Sequence, residues 1–217
     1  MKVLLSSAGA AEAMQEPLQT RPIVLLADHQ TAGRGRLSRQ WQAPAGSSLL
    51  ITIGLPLAQF PPEHLTLLTT CLALAVTDAT RELGIEQVNI KWPNDLVCDS
   101  EPVSETASET ASEASAIGTE RAPSYFKLGG ILAELYQIPG LGDCALLGLG
   151  LNVNWPELPP ELVGIASSLN KILGHEIDRE QLLIELLTSL DAKWLPELQD
   201  PEGDQSVLFQ TYRARSA

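Results

Sequence analysis

Three short segments place a cation beside glycines, or beside a carboxylate and an amide: G-R-G-R at 33–36, K-W-P-N-D at 91–95 and K-L-G-G-I-L at 127–132. Together they carry Arg34, Arg36, Lys91 and Lys127, in a chain with only 14 Lys and Arg and a formal net charge of -13. An acidic chain that gathers scarce cations in glycine-rich turns points to an anion held there. Gly33 and Gly35 allow a sharp turn and a close approach of the backbone to a ligand. Arg34 and Arg36 alternate with them, and in an extended loop they project in different directions, onto two parts of one ligand. Their planar forks suit carboxylate and phosphate. A solvated basic turn is the structural alternative.

In K-W-P-N-D the proline fixes a turn that clusters Lys91, Asn94 and Asp95 at a strand end. Lys91 is a candidate for phosphate, and Asp95 for Mg²⁺ or for steering a nucleophilic amine. The alternative is a Lys–Asp surface pair with Asn94 stabilising the turn. Lys127 precedes Gly129 and Gly130, which signal close packing on the backbone or a bulge. Asn152 follows Gly148 and Gly150 and is placed to hydrogen-bond a ligand or to end a strand. Trp41 and Trp92 each follow a cationic stretch and can stack on a planar ring, although core packing is the commoner role.

The elements that must position these residues are legible from pattern. Ile23–Ala27 is a short apolar run that suits a buried strand, and 28–39 is a polar, glycine-containing loop. Ser48–Leu55 reads as the next strand, ended by Pro56. Apolar residues recur at helical spacing from Glu63 to Leu83, after Pro61-Pro62 and before Gly84. Val88–Trp92 is a short strand. Residues 127–136 and 145–153 read as a hairpin turned at 139–143. Asp178 is placed to cap a helix carrying Leu182, Leu183, Leu186, Leu187 and Leu190. Residues 10–14 suit a helix end, and a further element begins at Leu208. Turn-linked strands and helices in blocks predict an α+β domain, a mixed, largely antiparallel sheet with helices on one face.

The segment 99–124 repeats S-E-T-A at 104–107 and 108–111 and carries almost no branched apolar residue. Such a composition does not offset its ordering entropy, so it predicts a disordered insert in an otherwise single domain spanning 1–217. The acidic balance argues against nucleic-acid binding, which needs a basic face. No apolar run is long enough for a membrane span, and no secretory h-region is present. Cys71, Cys98 and Cys144 are odd in number with no zinc or redox spacing, which predicts reduced thiols and a cytoplasmic setting. His29, His64 and His175 are scattered, which argues against a zinc site.

The order of motifs is more specific than any one of them. D-H-Q-T-A-G-R-G-R at 28–36, Trp41, K-W-P-N-D, K-L-G-G-I-L-A-E at 127–134 and G-L-G-L-N-V-N at 148–154 resemble the catalytic domain of biotin–protein ligases. The resemblance runs from about Ile23 to Arg215. It implies an ATP-dependent ligase that activates biotin as biotinyl-5′-AMP, releases pyrophosphate and passes biotin to a lysine of a biotin carboxyl carrier protein. Gln30, Gly33, Arg34, Gly35, Arg36 and Lys127 would then face biotin, and Arg36, Trp41, Lys91, Asn94 and Asn152 the ATP. Arg36, Lys91, Asp95 and Lys127 would be catalytic, and Mg²⁺ would enter with ATP rather than on a dedicated protein site. Monomers and homodimers are both compatible with the family. Its Ser-Thr-Asn motif has only Ser6, Ser7, Ala8 and Gly9 as candidates. The C-terminal β-barrel and N-terminal helix-turn-helix are expected to be absent, and with them any repressor role. The rival implications are a lipoate ligase or octanoyl transferase, and a non-catalytic biotin-binding fragment or pseudoenzyme.

Overall fold

A computed structural model of the chain describes residues 2–5, 21–99, 125–138, 142–200 and 204–217. The expected helix end at 10–14, the Ser6–Gly9 candidates and all but Asp99 of the low-complexity insert lie outside them.

Strand-forming runs bounded by turns give β1 (Lys2–Leu5), β2 (Ile23–Ala27), β3 (Ser48–Pro56), β4 (Asn89–Lys91), β5 (Asp95–Asp99), β6 (Tyr125–Ile138) and β7 (Gly142–Asn152). They form one sheet in the order β1-β2-β3-β7-β6-β5-β4. β1 runs parallel to β2, and every other neighbouring pair is antiparallel. The expected α+β architecture, a mixed and largely antiparallel sheet, is therefore the one observed. The predicted hairpin at 127–153 is β6–β7, with Gly130 opposite Gly150 and Leu132 opposite Gly148.

The helices are α1 (Leu68–Glu82), α2 (Leu169–Leu173), α3 (Arg179–Ser189), α4 (Leu195–Gln199) and α5 (Ser206–Ala214). The helix predicted from residue 63 opens with 3-10 winding over Pro62–Leu67 before α1 begins. Within that stretch His64 is buried, and its Nδ1 lies 3.0 Å from the Leu198 carbonyl oxygen. Asp178 caps α3 as expected, accepting from the backbone N–H groups of Glu180 at 2.9 Å and Gln181 at 3.2 Å.

Strand alternation divides the sheet into two faces. Leu49, Ile51, Ile53 and Leu55 of β3 and Leu147, Leu149 and Leu151 of β7 join the helices in one apolar core. The residues between them, Leu50, Thr52, Gly148, Gly150 and Asn152, face the other side. Asp78 ties the helix layer together. Its carboxylate accepts from Ser189 Oγ at 2.7 Å, Lys193 Nζ at 3.1 Å and Trp194 Nε1 at 2.8 Å, and meets Arg215 Nη2 at 2.6 Å. Burial opposes ionisation of Asp78, but these donors outweigh it and hold the carboxyl below its usual range. Arg215 then passes its backbone to the sheet: Ile90 N–H donates to the Arg215 carbonyl at 2.7 Å, and Ala217 N–H to the Ile90 carbonyl at 3.0 Å. The C-terminal residues are thus stitched beside β4, next to Lys91.

Cys71, Cys98 and Cys144 are free and buried, and burial pushes the Cys98 thiol up to about 11. No described helix is long and apolar enough to cross a membrane.

Candidate active site

The loop that carries G-R-G-R is a small hairpin laid on the sheet face opposite the helices. Trp41 N–H donates to the Gly33 carbonyl at 3.0 Å, and Gly35 N–H to the Arg39 carbonyl at 2.8 Å. Its tip turns through Leu37 and Ser38, both in the left-handed region at φ 56° and φ 60°. Two of its contacts require glycine. A Cβ on Gly33 would stand 2.3 Å from the Trp41 carbonyl oxygen, and one on Gly150 would stand 2.5 Å from the Trp41 indole. The indole therefore lies directly on the β7 backbone, which explains the glycine at position 150 of G-L-G-L-N.

The other two motifs reach the same face. Asn94 sits at the mouth of β5, where its backbone carbonyl accepts from Ile131 N–H at 2.9 Å. Its side-chain amide donates to the Ile131 carbonyl at 2.9 Å, and its Oδ1 accepts from Arg36 Nη1 at 3.0 Å. One carboxamide thus joins the arginine hairpin to β6. Lys127 Nζ donates to Asp95 Oδ1 at 2.6 Å, with both side chains partly exposed.

That pairing replaces the Lys–Asp surface pair weighed as the alternative within K-W-P-N-D. Lys91 and Asp95 are opposite in register, yet the carboxylate takes Lys127. A register shift between Leu96 and Val97 puts Lys127, not Leu128, opposite Val97, which brings Lys127 to the face of Asp95. Lys91 instead places its ammonium 4.2 Å from the centroid of the Tyr125 ring. Trp92 is 77% exposed at the tip of the turn, so core packing is not its role.

Asn152 is 3% exposed and donates from Nδ2 to the Ser167 carbonyl at 3.0 Å. Its Oδ1 has no partner, and neither has Trp41 Nε1, although both atoms are buried. An orphaned acceptor and an orphaned donor, on residues that meet β7 two positions apart, are what a bound polar ligand would satisfy. The groove beneath the hairpin, between Arg34–Gln40 and Leu132 and Glu134, measures about 630 Å³. A second cleft of about 250 Å³ lies beside it, bordered by Arg36, Thr66, Thr70, Trp92 and Asn94. Among the described residues no group of three His, Cys, Asp or Glu side chains is placed to hold a metal ion. Asn152 Oδ1 is a free hard oxygen donor that suits Mg²⁺ carried in by phosphates.

The biotin/lipoate A/B protein ligase family model matches residues 6–152, more than half of the 217. The chain belongs to this family. It is 30% identical over 195 residues to the bifunctional ligase/repressor BirA of Bacillus subtilis, covering 87% of this chain and 51% of that protein. It is 30% identical over 197 residues to the biotin–[acetyl-CoA-carboxylase] ligase of Mycobacterium tuberculosis, covering 89% of this chain and 60% of that protein. The chain thus spans little more than half the length of these relatives. The structure of the Aquifex aeolicus biotin protein ligase in complex with biotin and ATP matches 99% of this chain and 78% of that one, at a TM-score of 0.71 and 25% identity.

Within this family fold, the described candidates Gly33, Arg34, Gly35, Arg36, Trp41, Lys91, Asn94, Asp95, Lys127 and Asn152 lie on or beside the sheet face opposite the helices. Gln30 is at the root of the hairpin, its Oε1 packed against Gly33. Sequence reasoning missed Tyr125, Glu134 and Tyr136. Glu134 accepts from Arg34 Nη1 at 3.1 Å and Nη2 at 2.7 Å. A period-two count along β6 from Gly130 through Leu132 finds both Glu134 and Tyr136 on the site face.

Proposed function

We propose that this chain adenylates biotin with ATP and transfers the biotinyl group to a lysine of a biotin carboxyl carrier protein. The observation that carries this reading is the convergence of Arg36, Lys91, Asp95, Lys127 and Asn152 on one sheet face, under a glycine-built hairpin that leaves Trp41 Nε1 and Asn152 Oδ1 unpaired.

The first step sets a carboxylate against a triphosphate. A biotin carboxylate oxygen forms a bond to the α-phosphorus, and pyrophosphate leaves with the electrons of the broken P–O bond. Two anions must be neutralised and held in line, which is positioning plus electrostatics. Arg36 is held only by a neutral carboxamide, so a phosphate oxygen can displace Asn94 from it. Lys91 and Lys127 flank the same face and reach the phosphate and the biotin carboxylate. Gln30, Gly33, Arg34 and Gly35 border biotin, Trp41 packs beside the ligand, and Asn94 and Asn152 face the nucleotide. Mg²⁺, bound to the phosphates, supplies further charge neutralisation.

In the second step the acceptor amine attacks the acyl carbon and AMP leaves. Asp95 orients that amine and takes up the proton it loses as the amide forms, once Lys127 turns to the ligand. Closure of the hairpin keeps water from the mixed anhydride. Three buried, free cysteines support a reducing, cytoplasmic setting. Beyond Asn94, β6 has no strand on its outer side among the described residues, an open edge that supports docking of a carrier domain or a second copy.

The test is pyrophosphate release with ATP and Mg²⁺, in parallel with biotin, lipoate and octanoate. Biotin-dependent release supports the reading, and lipoate- or octanoate-dependent release replaces it with the rival branch of the family. Binding of biotin and ATP with no release from any acid identifies a binding module and refutes the ligase.

A further inference from the structure

Two of the hairpin's three arginines, Arg34 and Arg36, are held in different ways. Arg36 meets the neutral Asn94 through one bond of 3.0 Å. Arg34 meets a carboxylate through two parallel bonds, Nη1 to Glu134 Oε1 at 3.1 Å and Nη2 to Oε2 at 2.7 Å. Tyr136, two residues along the same face of β6, stands beside the pair, and Tyr136 and the Glu134 charge both raise the Arg34 pKa. A guanidinium whose fork is filled by a carboxylate is a poor contact for an anionic ligand, because that ligand must displace a charged, bidentate partner.

The tip of the hairpin needs external support. Leu37 and Ser38 both sit in the left-handed region, which disfavours residues other than glycine, Asn or Asp. Such strain persists only where surrounding contacts over-determine it. Leu37 contributes little packing of its own, since it is 84% exposed. What remains is the backbone ladder from Gly33 to Trp41 and the two arginine contacts on either side of Gly35.

We infer that Glu134 is a positioning residue that latches the Gly33–Trp41 hairpin to β6 through the Arg34 guanidinium, leaving Arg36 as the hairpin's ligand-facing cation. This rests on the proposed ligase function for its kinetic consequence and on nothing but the fold for its structural one. Arg34 then serves the biotin side through the loop backbone that it anchors. The latch is weak by construction. Arg34 is 64% exposed, and solvent-exposed pairs of this kind shift an equilibrium only about fivefold. That suits a loop that must open to admit substrate and close again.

The experiment compares the parent chain with E134Q, Y136F, R34E and the exchanged pair R34E/E134R. In ligand-free protein, backbone hydrogen exchange across 33–41 is expected to quicken about fivefold in E134Q. It should quicken less in Y136F, most in R34E, and return toward the parent in the exchanged pair. Melting temperatures should stay together, because these side chains bury little. In turnover, KM for biotin should rise by less than the exchange rate does, with kcat unchanged, since only the closed fraction binds and the closed state stays the major one. The exchanged pair should recover that KM.

Unaltered exchange in E134Q overturns the latch. So does an exchanged pair that stays as loose as R34E, because an ion pair that holds the hairpin is rebuilt when its two charges are exchanged. Loosening and recovery in exchange, with no biotin turnover in any chain including the parent, leave the latch standing and refute the ligase reading instead.

Discussion

The two faces of this sheet are made by the same strands and obey opposite rules. On the helix-packed face, β3 and β7 present Leu49, Ile51, Ile53, Leu147, Leu149 and Leu151, all essentially removed from solvent. On the other face the same strands present Thr52, Gly148, Gly150 and Asn152, and the cover is a hairpin of glycines and arginines. The first face is filled to exclude everything. The second is pared back so that something can come close, and it leaves two buried polar atoms unpaired, Trp41 Nε1 and Asn152 Oδ1. Alternation along a strand therefore lets one residue set stabilise the fold while its neighbours, one position away, are released to serve a ligand.

The sharpest way to break this contrast is to damage one face and read the other. Leu151→Ala on the packed face removes a fully buried side chain and leaves a cavity, at an expected cost of about 2–5 kcal/mol in chemical denaturation. At temperatures where the variant stays folded, biotin-dependent pyrophosphate release should be little changed. A large loss of activity with stability intact would show that the faces are not separable.

The helix layer has a charged node of its own in Asp78. Asp78→Asn removes the partner of Arg215, which is only 13% exposed, and should destabilise by about 3 kcal/mol. The sign of its pH dependence follows from the depressed carboxyl. In the unfolded chain Asp titrates near about 3.9, and in the folded chain it titrates lower. The parent's advantage over the variant is complete above the unfolded value and shrinks as pH falls through the folded one. An advantage that is constant from neutral pH down to acid unfolding would mean that Asp78 is not the group whose ionisation is held there.

On the ligand face the damage should be functional. Gly150→Ala puts a methyl where the Trp41 indole lies, 2.5 Å away, and must push the hairpin off the sheet. Misplacement of about an ångström costs a positioned reaction on the order of 100-fold, so activity should fall by that factor while melting temperature moves little. Trp41 fluorescence gives an independent readout, and an unshifted spectrum would contradict the observed stacking. Arg36→Gly should act more mildly, because on the proposed reading it removes one charge-assisted contact to the intermediate and not the loop. About tenfold faster escape of biotinyl-AMP is expected. Escape equal to that of the parent would remove Arg36 from the phosphate.

Much of this division could be read in the sequence, and the part that could not has a physical cause. The β6–β7 hairpin, the cap at Asp178 and the antiparallel bias followed from turn residues and local periodicity, which act within a few positions. The motif segments supplied the arginines of the hairpin, the Lys127–Asp95 pair and the glycine under Trp41. The partners of those cations were another matter. Lys127 reaches Asp95 only because a bulge shifts β6 by one residue, and no local pattern announces a bulge beyond a pair of glycines. Glu134 holds Arg34 across 100 positions of sequence, a contact set by how a loop folds over a sheet. Tyr125 beneath Lys91 was hidden similarly, since its strand begins beyond a long insert of unrelated composition.

The smallest expected effect separates a glycine required by packing from one that merely shares its strand. Gly148 lies on the same face of β7 as Gly150 and belongs to the same G-L-G-L-N run. Yet a Cβ on Gly148 would find its nearest neighbour, the Leu132 carbonyl oxygen, at 3.5 Å, an ordinary contact. Gly148 also has no left-handed backbone to protect. Gly148→Ala should therefore change stability by no more than about 0.5 kcal/mol and leave activity within about twofold of the parent. If it were instead as damaging as Gly150→Ala, the open face would need bare backbone along the whole length of β7. The ligand, and not the Trp41 ring alone, would then be what approaches it.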